Sequence, residues 1–147
     1  VLEYYYNNEK YFNATDFGQL PRKMAEIIKE NLKITEVWGN EVSLAYKQEY
    51  AGTTDLVAVV GEKPTIVDFK QANRPKLEEW VDDYKHQLGA YYLAHKTHYG
   101  PVEQGVISIA TRGLQYQEFK LSEPDLSEYA DKFLHRLEQY NKIAKKV

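Results

Sequence analysis

Apolar residues recur at helical spacing in three segments of the chain, and each segment predicts a helix. The first helix is expected over about residues 20–33, with Pro21 in its first turn. The second is expected over residues 77–97, and the third opens at residues 122–125. The expected buried stripe of the second helix consists of Trp80, Tyr84, Leu88 and Tyr91. That of the third consists of Leu126, Tyr129, Phe133, Leu137, Tyr140 and Ala144.

Five alternating or β-branched segments predict strands. They are residues 36–46, 53–60, 64–71, 105–110 and 114–121. Gly61-Glu62-Lys63 predicts a tight turn, so the second and third strands should form an antiparallel hairpin. We therefore expect an α/β fold with a central mixed sheet of about five strands, flanked by helices, whose first strands form a meander.

The chain is expected to be one domain over residues 1–147, because it shows no repeat and no linker. Residues 1–16 are expected to form a strand or hairpin extension. The chain starts at Val1 rather than at a methionine, so we expect a truncated N-terminus.

Composition narrows the class of protein. The chain has no cysteine, which excludes disulfides, thiolate zinc sites and iron–sulfur clusters and fits a reducing compartment. No apolar run approaches the ~20 residues that a membrane helix needs, so no membrane partner is expected. The net charge of −3 by itself argues against a nucleic acid as the binding partner. That argument is weakened if the chain has a carboxylate-rich metal site, because such a protein is acidic until its cations bind.

Two apolar runs carry acidic residues at positions where a strand core normally has none. Asp55 follows Gly52-Thr53-Thr54, and Asp68 lies within Thr65-Ile66-Val67-Asp68-Phe69-Lys70-Gln71. An unpaired buried charge is costly, so such acids are usually paired or bind a metal. Asp68 and Lys70 share one face of their strand, and Phe69 points the other way. A turn centred near Glu62 places Asp55 almost opposite Asp68, with Cβ atoms roughly 5 Å apart where the register allows it.

This pair of acids has a chemical consequence. Two carboxylates at that distance repel each other unless one is protonated or a cation lies between them. Oxygen ligands without sulfur or imidazole favour Mg²⁺ or Mn²⁺. Lys70 beside such a cation can position a water, help to take its proton or stabilise charge on a phosphate. The alternative is a salt-bridged pair of Asp68 and Lys70 on an exposed face of the hairpin.

The second predicted helix adds Gln87 and Tyr91, which lie four residues apart and so on one face. Gln87 is expected within the apolar stripe, where a buried amide must be hydrogen-bonded. It either faces the acids and holds a substrate phosphate or a water, or it is satisfied by a nearby backbone carbonyl. Gly89 is expected to allow close packing of this helix on the sheet.

Three motifs together resemble the PD-(D/E)XK nuclease superfamily, in its RecB-like branch with the Q-x-x-x-Y helix. They are Gly52-Thr53-Thr54-Asp55, Val67-Asp68-Phe69-Lys70 and Gln87-Leu88-Gly89-Ala90-Tyr91. Residues 36–146 are also similar to the mitochondrial genome maintenance exonuclease group and its phage and bacterial relatives, up to the closing helix at Phe133–Tyr140. The resemblance implies a restriction-endonuclease-like core.

The resemblance also implies roles for individual residues. Asp55 and Asp68 would ligate the metal together with the backbone carbonyl of Phe69, and Lys70 would serve the attacking water. The residues that would support the site and the scissile strand are Gln87 and Tyr91.

Two further points concern the metal ligands. Glu41 is either an additional carboxylate of the site or an exposed strand residue. Relatives in the RecB-like branch usually carry a metal-binding histidine on a helix ahead of the first strand, and here no histidine precedes His86. Either Asp16 or Glu26 replaces it, or the segment that carries the histidine is missing from the expected truncated N-terminus.

Basic residues near the predicted site are candidates for a rim that follows the phosphates of a nucleic acid. They are Lys70, Arg74, Lys76, Lys85, Lys96 and Arg112. The alternative is a mixed solvated surface, because four acids lie in the same region, namely Glu78, Glu79, Asp82 and Asp83. The histidines of the second helix are expected to be solvated; they are His86, His95 and His98.

These patterns predict a Mg²⁺- or Mn²⁺-dependent deoxyribonuclease, an exonuclease that acts on single-stranded or frayed DNA ends in DNA repair or replication. The alternatives are a non-catalytic nucleic-acid-binding module of the same fold and a subunit of a larger nuclease complex. In the absence of a targeting peptide, we expect a bacterial or phage-encoded protein in the cytoplasm of the host cell, with a mitochondrial origin as the alternative.

Overall fold

The computed structural model describes residues 16–144, with side chains from Leu20 onward. The extension predicted over residues 1–16 therefore lies, except for the backbone of Asp16, outside the described residues. The helices are α1 (Asp16–Asn31), α2 (Asp82–Tyr99) and α3 (Glu123–Ala144), and a 3₁₀ turn at Glu78–Val81 leads into α2. The strands are β1 (Ile34–Tyr46), β2 (Tyr50–Val60), β3 (Lys63–Ala72), β4 (Gln104–Thr111) and β5 (Tyr116–Ser122).

The five strands form one mixed sheet in the order β1-β2-β3-β4-β5. All neighbours are antiparallel except β3 and β4, which run parallel and are joined by a crossover that contains α2. The predicted α/β fold, with its central mixed sheet, its initial meander and its order of helices and strands, is confirmed.

A two-residue turn sets the register of the hairpin that carries the acids. Gly61 and Glu62 both adopt a left-handed backbone, with φ of 55° and 68°, which matches the twist of the flanking strands. Val60 then pairs with Lys63, and the ladder continues to Leu56 opposite Val67. Lys63, predicted as part of the turn, is the first residue of β3.

The two faces of the sheet are covered by different helices. The core under α1 contains Met24 and Ile28 together with Leu56 and Val67 from the sheet. The core under α2 and α3 contains, among others, Val57, Ile66, Ile107, Leu88 and Leu126. Successive residues of a strand point to opposite faces of the sheet. Each acidic residue of β2 and β3 can therefore be assigned either to the face under α1 or to the face under α2 and α3.

The stripe predicted for α2 is partly wrong. Trp80 is exposed, since it lies in the 3₁₀ turn ahead of the helix. His86 and His95 are buried rather than solvated. The reason is that α2 packs against both the sheet and α3, so that more than one of its sides is covered. The stripe of α3 is buried at Leu126 but exposed at Tyr140, beyond its contacts with the sheet.

Gly89 permits a close approach of α2 to α3 rather than to the sheet, which corrects the prediction. A Cβ at this position would lie 2.5 Å from the backbone nitrogen of Ala130 and 2.7 Å from the carbonyl carbon of Tyr129. Backbone atoms cannot rotate away as side chains do, so any larger residue must push the two helices apart.

Substituting Gly89 by alanine is therefore expected to lower the free energy of unfolding by about 1–3 kcal/mol, even though alanine favours the helix. Urea unfolding followed by circular dichroism measures this change. Gly113→Ala is the matched control, because its Cβ would have its nearest neighbour, Thr111 Oγ1, at 3.9 Å. Equal unfolding midpoints for the two variants would show that the helices do not meet at Gly89.

Candidate active site

The β2–β3 ladder ends where the two acids lie. Leu56 and Val67 form the last pair, and Asp55 and Asp68 are the next residues on the two strands, opposite each other. The Asp55 carboxylate accepts a hydrogen bond from the backbone N–H of Phe69, with Oδ2 at 2.8 Å. An acidic side chain thus binds the N–H of β3 at the point where pairing with β2 stops. The structure brings Asp55 and Asp68 together.

Asp68 and Lys70 project toward the side of the sheet covered by α2 and α3. Ile66, two residues earlier on the same strand, belongs to that core, whereas Phe69 packs against the core under α1. Lys70 Nζ lies 3.3 Å from Asp68 Oδ2. The acid and the lysine therefore share a face, with Phe69 on the other, as the period of the strand predicts.

Asp68 is held in an unusual electrostatic state. Its side chain is only 9% exposed, and apart from the ion-pair contact with Lys70 its Oδ2 atom receives no well-aligned hydrogen bond. Burial and, after it, the neighbouring Asp55 carboxyl raise the pKa of Asp68, Lys70 lowers it in part, and the net result is a pKa of about 7. A second positive charge at this position would satisfy both carboxylates.

The donor set fits a hard divalent cation. Two facing carboxylates, one of them with a buried oxygen that lacks an aligned donor, are the residues that would hold it. The nearby donors are carboxylate and backbone oxygens, and no histidine or sulfur ligand joins them among residues 20–144. The carbonyl of Phe69, predicted as a third ligand, lies between Asp68 and Lys70 in the chain.

Tyr84 is a member of this site that sequence reasoning placed only in an apolar stripe. The Lys70 ammonium lies 4.7 Å from the centroid of its ring. An ammonium over an aromatic face is attracted by the ring quadrupole. Tyr84 therefore holds Lys70 from the side of α2, and the strand position of Lys70 alone carried no sign of this contact.

Gln87 and Tyr91 form a linked pair on α2. Gln87 Nε2 donates a hydrogen bond to the Tyr91 hydroxyl at 3.0 Å, so the partner of the amide is a side chain and not the backbone carbonyl that one of the two alternatives expected. The Tyr91 ring lies against Gly52, where a Cβ would come within 2.8 Å of ring atom Cε1. The glycine three residues before Asp55 thus makes room for Tyr91 against β2.

Glu41 lies across from Asp55 in the β1–β2 register, between the pairs Asn40–Leu56 and Val42–Thr54. It is exposed and has a φ of 53°, a left-handed backbone that glutamate rarely adopts. The carboxylates of Glu41, Asp55 and Asp68 do not form a set whose ligand atoms all lie within 4.8 Å of one another, so Glu41 stands at the margin of the site.

A different acidic cluster, at the start of α2, was not identified from the sequence. In residues 20–144, Asp82, Asp83 and His86 are the one set whose ligand atoms all lie within 4.8 Å of one another. These acids already have protein partners. Arg136 of α3 contacts Asp83 at 3.3 Å, and the Tyr129 hydroxyl donates to Asp82 at 3.3 Å. The cluster therefore joins α2 to α3, and its D-D-x-x-H spacing was the available signal.

The predicted basic rim is divided by the fold. Lys76 and Arg112 line a cavity of about 410 Å³ between α1 and the ends of β3 and β4, and Arg74 is exposed nearby in the chain. Lys85 is not part of a solvated rim, because its side chain is only 13% exposed and pairs with Glu78 at 3.0 Å.

The candidate replacements for the missing histidine differ in what the structure describes. Glu26 pairs with Arg22 at 3.5 Å on α1. This helix covers the face opposite to Asp68, so Glu26 does not join the acids. The side chain of Asp16 lies outside the described residues.

Comparison with known proteins agrees with this geometry. The family model of the PD-(D/E)XK nuclease superfamily matches residues 10–146. The chain belongs to the PD-(D/E)XK nuclease superfamily. Members of this superfamily use divalent metal ions and act on DNA.

Fourteen solved chains match this PD-(D/E)XK protein in structure. One is a "Putative exonuclease" from Eubacterium rectale, with a TM-score of 0.61 and 13% identity over 93% of this chain. That level of identity shows the shared fold alone. Another, SSO0001, has a TM-score of 0.39 at 16% identity over 80% of this chain. The PD-(D/E)XK chain spans 57% of the length of each of these two structures.

Curated protein sequences contain no significant match to the chain. Within the described part of the PD-(D/E)XK chain, none of the helices combines the length and apolar character that crossing a membrane requires.

Proposed function

We propose that this chain is a Mg²⁺- or Mn²⁺-dependent deoxyribonuclease that hydrolyses phosphodiester bonds as an exonuclease on single-stranded or frayed DNA ends. The observation that carries the proposal is the meeting of Asp55 and Asp68 beside Lys70, with a buried Asp68 oxygen that lacks an aligned hydrogen-bond donor. A structural ion pair needs one acid and one base, whereas this site places a second acid against the first.

The residues divide the work of hydrolysis. Asp55 and Asp68 would hold the cation, and the hydrogen bond from Phe69 N–H keeps the Asp55 carboxylate in place. When bound, the cation would offset charge on the phosphate and lower the pKa of the attacking water. Lys70, 3.3 Å from Asp68, would position that water and would then act in one of two ways: as a neutral amine it would help to take the proton of the water, or as an ammonium it would stabilise the charge that develops on the phosphate.

Gln87 and Tyr91 would position the scissile strand. Gln87 donates a hydrogen bond to the Tyr91 hydroxyl, and the Tyr91 ring packs against the core that lies between the sheet, α2 and α3. This Q-x-x-x-Y pair supports an assignment to the RecB-like branch, near the mitochondrial genome maintenance exonucleases and their phage and bacterial relatives. The neighbour named as an exonuclease is consistent with action at DNA ends.

Residues 1–147 would form one nuclease domain, because all five described strands belong to a single continuous sheet. A chain without cysteine fits a reducing cytoplasm, where the enzyme would act in DNA repair or replication.

A second candidate is a non-catalytic DNA-binding module of the same fold. It is favoured by the sequence of α1, which contains no histidine, and by the position of Glu26 on the opposite side of the sheet from Asp68. Fewer ligands would weaken the hold on the cation and could leave a domain that binds without cutting.

A cleavage assay separates the two functions. With Mn²⁺ or Mg²⁺ present, we expect the protein to shorten a 5′- or 3′-labelled single strand progressively and to leave a closed circular single strand intact. Chelation by EDTA should stop the reaction, and added cation should restore it. Binding of DNA without any cleavage under all of these conditions would favour the non-catalytic module, and cleavage of the circle would show an endonuclease.

A further inference from the structure

A groove between α2 and α3 opens beside the proposed active site. Its volume is about 570 Å³, within the usual range for ligand sites. Both helices contribute to its lining. The aromatic and apolar side chains are Tyr84, Phe133, Leu137 and Tyr140. The polar ones are Asp83, His86, Gln87 and Arg136.

The inner wall of the groove is continuous with the proposed catalytic residues. Tyr84 lines the groove and also holds the Lys70 ammonium at 4.7 Å from its ring. Gln87 lines it as well, and donates a hydrogen bond to Tyr91. A ligand in the groove would therefore lie one side chain away from Lys70.

The groove favours flat neutral groups over phosphates. Three aromatic rings line it, and the ring of Tyr140 at its outer end is 67% exposed although it belongs to the apolar stripe of α3. The guanidinium of Arg136 pairs with Asp83 at 3.3 Å, so its charge is largely neutralised. Such a lining matches nucleobases, whose faces stack on aromatic side chains without regard to sequence.

We propose that the α2–α3 groove binds unpaired bases next to the scissile phosphate and thereby selects single-stranded DNA. The inference rests on the proposed nuclease function and assigns a surface to its substrate. The bases of a duplex are paired and stacked on each other, so they cannot enter a groove lined by side chains unless the end frays. Tyr140 is the stacking residue at the mouth of the groove.

The test compares two tyrosines of equal exposure. Tyr140→Ala removes the ring from the groove, and Tyr99→Ala removes a ring that is 68% exposed at the far end of α2. Binding of a fluorescein-labelled oligothymidylate and of a blunt hairpin duplex is measured by anisotropy in EDTA, so that cleavage does not interfere. We expect the dissociation constant of Tyr140→Ala for the single strand to rise about 5- to 100-fold, as for the loss of one stacked base.

Tyr99→Ala should bind the single strand like the wild type, and Tyr140→Trp should restore binding. In the presence of Mn²⁺, the ratio of single-strand cleavage to cleavage of bis(4-nitrophenyl) phosphate, which has no base, should fall in Tyr140→Ala. If the wild-type protein cleaves no substrate but Tyr140→Ala still loses single-strand binding, the groove binds unpaired bases and the proposed nuclease activity is wrong.

Three results would overturn the inference. The first is wild-type binding of the single strand by Tyr140→Ala. The second is an equal loss of single-strand and duplex binding, which would indicate a general effect on the surface. The third is a change of oligomeric state, in which light scattering gives the mass of a dimer or larger assembly for the wild type and that of a monomer for Tyr140→Ala. The groove of the wild type would then be covered by a second protein chain.

Discussion

Replacing Asp68 by asparagine is expected to lower phosphodiester cleavage by about 10³-fold or more, because the change removes the charge that holds the cation and orients Lys70. The amide has nearly the same shape as the carboxyl, so the backbone of β3 need not move. Initial rates on a labelled single strand in Mn²⁺ measure the loss. Stabilisation of the protein by Mn²⁺ in a thermal melt should disappear together with activity, since a ligand that binds the folded state raises its stability.

The same variant should make the metal-free protein more stable at pH 8. The folded-state pKa of Asp68, about 7, lies above the ordinary aspartate pKa of 3.8, so the folded protein holds this proton more tightly than the unfolded chain. Stability from this group is therefore present at low pH and is lost as the pH rises through 7. Asparagine does not ionise, so the Asp68→Asn variant avoids this loss. The melting temperature of the variant in EDTA should exceed that of the wild type by about 3–8 °C at pH 8 and by little near pH 4.

Asp131→Asn is the control for both measurements, because Asp131 is an exposed acid on α3. It should cleave like the wild type and melt at the wild-type temperature in EDTA at either pH. If the Asp68→Asn variant cuts DNA at the wild-type rate, the Asp68 carboxylate is not needed for cleavage and the proposed mechanism is wrong. An unchanged or lowered melting temperature of Asp68→Asn at pH 8 would show that ionisation of the buried Asp68 carboxyl does not destabilise the folded protein.

Replacing Lys70 by methionine is expected to lower cleavage by about 10²–10³-fold while leaving the response to Mn²⁺ intact. Methionine keeps most of the length of the side chain and its contact with Tyr84, but it has no charge and no proton to exchange. The two carboxylates remain, and an ammonium no longer competes with the cation for Asp68. Thermal melts with and without Mn²⁺, run beside the cleavage assay, distinguish this result from that of Asp68→Asn.

The chain offers a matched control for Lys70 on β5. Glu118 and Lys120 have the same spacing as Asp68 and Lys70, and their charged atoms lie 3.4 Å apart, but the side chain of Lys120 is 60% exposed. Lys120→Met should therefore cleave DNA normally. If both lysine variants lose activity equally, the effect reflects the overall charge of the protein rather than the geometry of the site.

The pairs Asp68–Lys70 and Glu118–Lys120 differ in burial although their local sequence patterns are alike. Both pairs lie on strands, and both place the acid and the lysine on one face. Asp68 lies between Val67 and Phe69 and has Asp55 across a hairpin whose turn residues fix the register. Glu118 has no such partner in the pattern. The burial of one pair and the exposure of the other follow from the helices that cover β3 but leave β5 at the edge of the sheet.

The order of the helices and strands, the antiparallel β2–β3 hairpin and the shared face of Asp68 and Lys70 could be predicted from the sequence. These features depend on periodicity and turn residues, which act over a few positions of the chain. The contact of Tyr84 with Lys70, the close approach of Gly89 to α3 and the neutralisation of Lys85 by Glu78 could not be predicted in this way. Periodicity tells which side chains share a face, but the partner that covers this face is chosen by the packing of elements distant in the chain.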